Sequence, residues 1–202
     1  MLDWEELIKE CNNCRKCGLS NTRTNVVIGR GNPKATILLV GEGPGEQEDK
    51  QGLPFVGPAG KLLDLLLSAL MFKEEDYYIA NIVKCRPPNN RVPLDEEAEA
   101  CLDYLRNQLL LIRPKIIVCL GSTAAKHIIG KDIKITQIRG QWVEKKGYWI
   151  MPTFHPAFIL RQYGKTLNQV KWAVWHDFNN AIKKLTELCP DILSKISFDK
   201  KE

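Results

Sequence analysis

No stretch of the 202 residues stays apolar long enough to cross a bilayer: the longest, Leu62 to Phe72, is broken by Asp64 and Ser68, and a spanning helix needs about 20 apolar residues. No membrane association is expected. The opening residues, Met1-Leu2-Asp3-Trp4-Glu5-Glu6, carry acid where a secretory leader carries positive charge ahead of an apolar run, so a cytoplasmic protein is expected. Internal repeats and low-complexity tracts are lacking, and hydrophobic residues at 44% with charged residues at 26% exclude a collagen or a disordered chain. Complete nucleotide-binding motifs are lacking too. Gly60-Lys61 has Phe55 where a Walker loop needs its first glycine, Gly164-Lys165-Thr166 has Ile159 there, and Gly41-x-Gly43-x-Gly45 ends on Glu46 where a dinucleotide fingerprint needs glycine. Histidine is scarce, at three residues. An even set of cysteines is also missing: seven, in a reducing compartment, argue for metal ligands or core thiols over a disulfide framework.

The length fits one domain spanning 1–202, with a polar, flexible tail from about residue 190. Short apolar runs at Thr36–Val40, Tyr77–Val83, Lys115–Leu120 and Tyr148–Thr153 read as strands buried on both faces. Between them, Ala59, Leu62, Leu63, Leu66, Leu67 and Leu70 form an apolar helical stripe, as do Ala98, Leu102, Leu105, Leu109 and Ile112, and a further helix is expected over about 167–188. The alternation predicts an α/β fold, a single three-layer domain with a parallel sheet and helices on both faces. Ligands on such sheets bind beyond the carboxyl ends of the strands. The unusual residues follow the strands: Gly41-Glu42-Gly43-Pro44-Gly45, then Lys84 to Arg91, then Gly121-Ser122, then Phe154-His155-Pro156.

Glu42 is costly to bury as mere filler, and three nearby glycines permit close approach of a flat ligand. Asn81 is the odd polar residue in an apolar strand; its amide can accept from a ring N–H and donate to a ring carbonyl, the pattern that uracil offers and cytosine reverses. Phe55 can stack on such a ring. His155 stands where the fold places ligands, whereas His127 and His176 read as structural. Cys11-x-x-Cys14-x-x-Cys17, with Cys85 and Cys101, can supply four thiolates to zinc or an iron–sulfur cluster, and spacing leaves open whether Cys11 or Cys14 takes part. Cys119 reads as a core thiol and Cys189 has no assignment. A metal clip would fix the irregular 84–94 loop, and Arg15, Lys16, Lys84, Arg86 and Arg91 around it suit a phosphate backbone, as the net charge of +5 permits.

Gly41-Glu42-Gly43-Pro44-Gly45-x-x-Glu48-Asp49, Gly52-x-Pro54-Phe55-Val56-Gly57-x-Ala59-Gly60, Asn81-x-Val83-Lys84-Cys85-Arg86-Pro87-Pro88-x-Asn90-Arg91 and Thr153-x-His155-Pro156-Ala157 together resemble the family 4 uracil-DNA glycosylases, the thermostable iron–sulfur branch of that superfamily. The resemblance runs from about Cys14 to Asp177. It implies a central four-stranded parallel sheet, a structural [4Fe–4S] cluster on Cys14, Cys17, Cys85 and Cys101, and a monomer that flips uracil out of single- or double-stranded DNA and hydrolyses its N-glycosidic bond. His155 would then donate to uracil O2, Glu42 would orient water, the Gly41 and Gly43 amides, Phe55 and Asn81 would hold the base, and Glu48 would fill the space of a thymine methyl. Phe158, Ile159 and Leu160 resemble a wedge into the duplex, with Arg86, Arg91 and Arg161 on the DNA. The tail segment Ile192–Phe198 faintly resembles a sliding-clamp peptide. The rival expectation is a noncatalytic, metal-clipped nucleic-acid-binding module.

Overall fold

A computed structural model describes residues 2–190; the expected tail and the clamp-like segment lie outside them, apart from Pro190 at the boundary. The chain opens with helix α1 (Trp4–Asn12), started by a reciprocal cap in which Asp3 accepts from the Glu6 N–H and Glu6 accepts from the Asp3 N–H. Strands β1 (Arg30–Gly31) and β2 (Ile37–Gly41) follow, then helices α2 (Glu46–Gln51) and α3 (Pro58–Ala69), the latter with proline at its first position. Strand β3 (Tyr77–Asn81) leads through an irregular loop to α4 (Asp95–Ile112), β4 (Ile116–Leu120), α5 (Ser122–Ile128) and α6 (Ile135–Ile138). The chain then runs through β5 (Val143–Lys145), β6 (Tyr148–Thr153), α7 (Pro156–Leu160) and α8 (Gly164–Leu188).

The sheet has six strands in the order β1-β3-β2-β4-β6-β5. Its four central strands are parallel, as expected; β1 and β5 add antiparallel edges to β3 and β6. The expected four-stranded sheet is thus the centre of a mixed one. The edge strands escape sequence reading because one has two residues and the other, Val-Glu-Lys, has no apolar alternation.

The period-two alternation of a strand divides the core in two. Leu38, Val40, Tyr78, Ala80, Ile117 and Cys119 face the layer of α1, α4 and α5, while Ile37, Leu39, Ile79, Ile116, Val118 and Met151 face that of α3, α7 and α8. Cys119 is a fully buried core thiol, as read from its strand. No helix among the described residues is long and apolar enough to cross a membrane.

The strand order fixes where a ligand can enter. From β2 the chain moves outward to β3, then returns to place β4 on the other side of β2, so the connections leaving β2 and β4 diverge and open a crevice above them.

Candidate active site

A cleft of about 430 Å³ lies at that crevice, and its lining includes Glu42, Gly43, Glu48, Phe55, Asn81 and His155. Residues separated by more than a hundred positions meet there: Glu42, Asn81 and His155 stand at or just beyond the ends of β2, β3 and β6, while Glu48 lies in α2 and Phe55 in the loop between α2 and α3.

Asn81 ends β3, paired in register with Gly41 at the end of β2. It is 2% exposed, and its side-chain Oδ1 has no hydrogen-bond partner among the described residues. Such an orphaned acceptor costs roughly 1–3 kcal/mol unless something supplies a donor. Gly41 itself does not line the cleft; its role is to have no side chain, since a Cβ there would lie 2.5 Å from Asn81 Oδ1 and 2.7 Å from the Phe55 ring.

Phe55 is buried with φ of 56°, in the left-handed region that a bulky residue rarely adopts. Glu48 holds it there. One carboxylate oxygen accepts from the N–H groups of Val56 and Gly57 at 2.9 and 2.7 Å, and the other from Gly45 at 3.1 Å. Glu48 therefore lines the cleft with its carboxylate engaged by three backbone amides. Asp49, next to it and 3% exposed, accepts from the N–H groups of Thr24 and Asn25, tying the segment after the N-terminal cysteines to α2.

His155 caps α7, its Nδ1 accepting from the Ala157 N–H at 3.1 Å. With that nitrogen an acceptor, the neutral ring carries its proton on Nε2. Burial, aided by the Arg161 charge, pushes its pKa down to about 4, so the ring is neutral at physiological pH. It stacks on Phe55 with ring centroids 5.5 Å apart and planes 29° apart. This approach depends on Gly121, whose φ of 94° and bare Cα let the His155 Cβ come close; a Cβ there would lie 2.9 Å away. Beneath the His155 loop, Thr153 donates to Asp177, itself paired with Arg139.

Glu42 lies across the crevice from β4, and its Oε2 accepts from the Thr123 hydroxyl at 2.5 Å. Sequence reading stops at Gly121-Ser122 and misses Thr123, since no motif spacing reveals a partner 81 positions away.

The basic residues divide. Lys84, expected to face phosphate, is 1% exposed: its ammonium donates to the Asn81 backbone carbonyl at 2.8 Å and to Gln108 at 2.6 Å, and burial lowers its pKa. That expectation is corrected, because a cation enclosed beneath the cleft cannot meet a phosphate. Arg91 lines the cleft while making a two-pronged pair with buried Glu97, at 2.7 and 2.8 Å. Arg86 donates to Asn90. These bonds, with Asn89 and Asn90 in left-handed backbone, contribute to ordering the 84–94 loop. Arg161 is exposed at the cleft edge. Ile159 is 5% exposed in the core against α8, whereas Leu160 is 48% exposed; of this pair only Leu160 can reach into a duplex without unpacking the helix.

Cys11, Cys85 and Cys101 are buried together, with Cys14 and Cys17 packed at the same edge of the core. Burial pushes the Cys11 thiol up to about 12 and the Cys101 thiol up to about 11, in both cases opposed by the charge of Lys84. Cationic and amide donors already point at sulfur: Arg23 Nη1 stands 3.2 Å from Cys85 Sγ, and the Lys84 N–H 3.3 Å from Cys101 Sγ. Thiols given positive neighbours and N–H donors suit the thiolate ligands of a metal cluster. Among the described residues, no three of these side chains converge closely enough to hold a single metal ion.

Residues 28–179 match the model of the uracil DNA glycosylase superfamily. The chain is 48% identical to the type-4 uracil-DNA glycosylase of Thermotoga maritima over 78% of this chain and 83% of that one. It is 43% identical to the Archaeoglobus fulgidus type-4 enzyme over 92% of each. A type-5 uracil-DNA glycosylase of Pyrobaculum aerophilum is more distant, 29% identical over 63% of each chain. The strand-end cleft and these similarities agree: the chain belongs to the uracil DNA glycosylase superfamily, among its type-4 members.

Proposed function

We propose that the cleft carries out uracil excision through Glu42, Asn81, His155 and Phe55. The protein is a DNA-repair enzyme that hydrolyses the N-glycosidic bond of uracil in DNA, releasing the base and leaving an abasic site. One observation carries the assignment of the cleft: the unpartnered Oδ1 of Asn81, an acceptor without a donor at the end of β3. Uracil N3–H supplies that donor and uracil O4 can accept from the amide nitrogen, whereas cytosine presents an unprotonated N3 to Oδ1 and an amino group to Nδ2, leaving both pairs mismatched.

The target nucleotide must first leave the duplex, at a cost of a few kcal/mol. The base stacks on Phe55, whose ring is fixed by the Glu48 brace. As C1′–N1 breaks, its electron pair goes to the base and the sugar becomes cationic. The neutral His155 ring, holding its proton on Nε2, donates to uracil O2 where the negative charge collects; a preorganised donor of this kind contributes about 2.7–4 kcal/mol. Glu42 faces the sugar, orients a water toward C1′ and accepts its proton as the C1′–O bond forms. The backbone at Gly43 borders the base. Arg86, Arg91 and Arg161 serve the phosphates, Arg91 from within its pair with Glu97, and Leu160 fills the gap left by the flipped nucleotide.

Cys14, Cys17, Cys85 and Cys101 would hold a [4Fe–4S] cluster. The cluster's contribution when bound is to clip the segment after α1 to the loop beyond β3 and to α4; excision itself needs no electron transfer. The shared sheet supports reading the chain as one domain, and the monomer and the clamp contact belong to the same proposal.

The test is single-turnover cleavage of a labelled oligonucleotide carrying one uracil, with thymine and cytosine controls and alkali to reveal abasic sites. Uracil-only scission that is lost in Glu42→Ala and His155→Ala, with DNA affinity retained, is expected. Full activity in both variants would remove this cleft from the reaction.

A further inference from the structure

Thr123 stands in the first turn of α5, directly beyond β4, and is 7% exposed. Among the described residues its hydroxyl is the hydrogen-bond partner of the Glu42 carboxylate, reaching Oε2 at 2.5 Å from the opposite wall of the crevice. Because β2 and β4 are the neighbouring strands whose connections diverge, this bond spans the point where the sheet opens. The other carboxylate oxygen, Oε1, has no bond to the described residues and is not buried.

We propose that Thr123 is a positioning residue for excision, fixing the Glu42 carboxylate by its hydroxyl so that Oε1 is the oxygen presented to the attacking water. The proposal rests on the reading of Glu42 given above. A carboxylate on two methylenes turns freely about its last bond, and either oxygen can face the sugar. A hydroxyl anchored on a stiff, β-branched side chain removes that freedom. Thr123 also has one proton to give, and giving it to Oε2 leaves that oxygen the poorer acceptor for water. The buried helix start keeps the hydroxyl in place: the Gly121 N–H donates to the Thr153 carbonyl at 2.9 Å, and the Ala125 N–H to the Gly121 carbonyl at 3.2 Å. The hydroxyl thus belongs to the same framework that carries His155. Nothing in this arrangement touches the base, so Thr123 affects the rate of the step and not the binding of uracil.

The experiment is a double-mutant cycle under single-turnover conditions, with maximal rate and half-saturating enzyme concentration read separately. Thr123→Val, which keeps the shape and removes the hydroxyl, is expected to lower the maximal rate about 10- to 100-fold, the range of a hydrogen bond to a charged group, with half-saturation unchanged. Thr123→Ser is expected to restore the rate to within about threefold, since the bond to the carboxylate is remade. In a Glu42→Ala background, Thr123→Val should change nothing further, because its only route to the reaction is gone. Thermal melts accompany each variant, and Thr123→Ala replaces the valine variant if that one unfolds. A wild-type rate without the hydroxyl overturns the proposal, as does an equal loss with and without Glu42, which would mark a purely structural bond. A wild-type rate in Glu42→Ala alone would overturn the role of Glu42 itself, and the two failures are thereby told apart.

Discussion

The side-chain carbonyl of Asn81 lies against the bare α-carbon of Gly41, its register partner on β2, and a single methyl at position 41 would come within 2.5 Å of Asn81 Oδ1. The same methyl would press on the Phe55 ring at 2.7 Å. Gly41→Ala is therefore expected to displace both groups that hold the base. Single-turnover excision should fall by at least about 10-fold, with half-saturation raised, the pattern of lost ground-state binding together with lost alignment. Comparison of free-uracil inhibition in the variant and the parent checks the cause: inhibition should weaken in step.

His155 gives a pH prediction. Burial holds its pKa down at about 4, below the ordinary 6.5. Between those values the unfolded chain takes up a proton that the folded ring refuses, so this residue's contribution to stability is complete above about pH 6.5 and is lost as pH falls toward 4. Across pH 5–8 the ring stays neutral. NMR titration of the His155 ring should show no midpoint in that range, and a midpoint near 6.5 would contradict the neutral-donor assignment.

The cysteines separate by substitution. Cys14→Ser is expected to abolish the broad absorbance near ~400 nm that marks an iron–sulfur cluster, and to lower bound iron. Cys11→Ser should retain both, since Cys11 lies in α1 whereas Cys14 and Cys17 stand in the irregular segment that follows it. Iron analysis beside the spectrum decides between them; the reverse result would move the ligand from residue 14 to residue 11.

Two neighbours on α7 should behave in opposite ways. Ile159→Ala opens a cavity in the core against α8 and should cost about 2–5 kcal/mol of stability, visible in a denaturant titration. Leu160→Ala removes an exposed side chain and should leave the melting temperature close to the parent's. If Leu160 fills the gap left by the flipped nucleotide, the variant slows excision from duplex DNA and spares single-stranded substrate.

Much of this arrangement was legible in the chain. The apolar runs and helical stripes imply the parallel centre of the sheet, and the rule that ligands gather at strand ends singles out Glu42, Asn81 and His155 before any coordinates. The chemistry of those side chains is local, so their types and their places after strands suffice. What the chain could not disclose is which polar groups meet. Lys84 reads as a surface cation among other basic residues, yet Gln108 and the Asn81 carbonyl enclose it. Glu48, expected to fill the space of a thymine methyl, lines the cleft, but the chain does not disclose that three backbone amides converge on its carboxylate. Thr123 carries no motif at all.

The amino-acid sequence by itself determined the four central strands, the three longest helices, the strand-end residues and the family to which the chain belongs, because periodicity and motif spacing are properties of neighbours along the chain. Only the tertiary structure decided the partners: the two short edge strands, the burial of Lys84 and Ile159, the strained Phe55 backbone held by Glu48, and the bond from Thr123 to Glu42. These depend on which strand lies beside which, and a hydrogen bond of 2.5 Å across the β2–β4 crevice exists only after the chain has returned from β3 to lay β4 on the other side of β2.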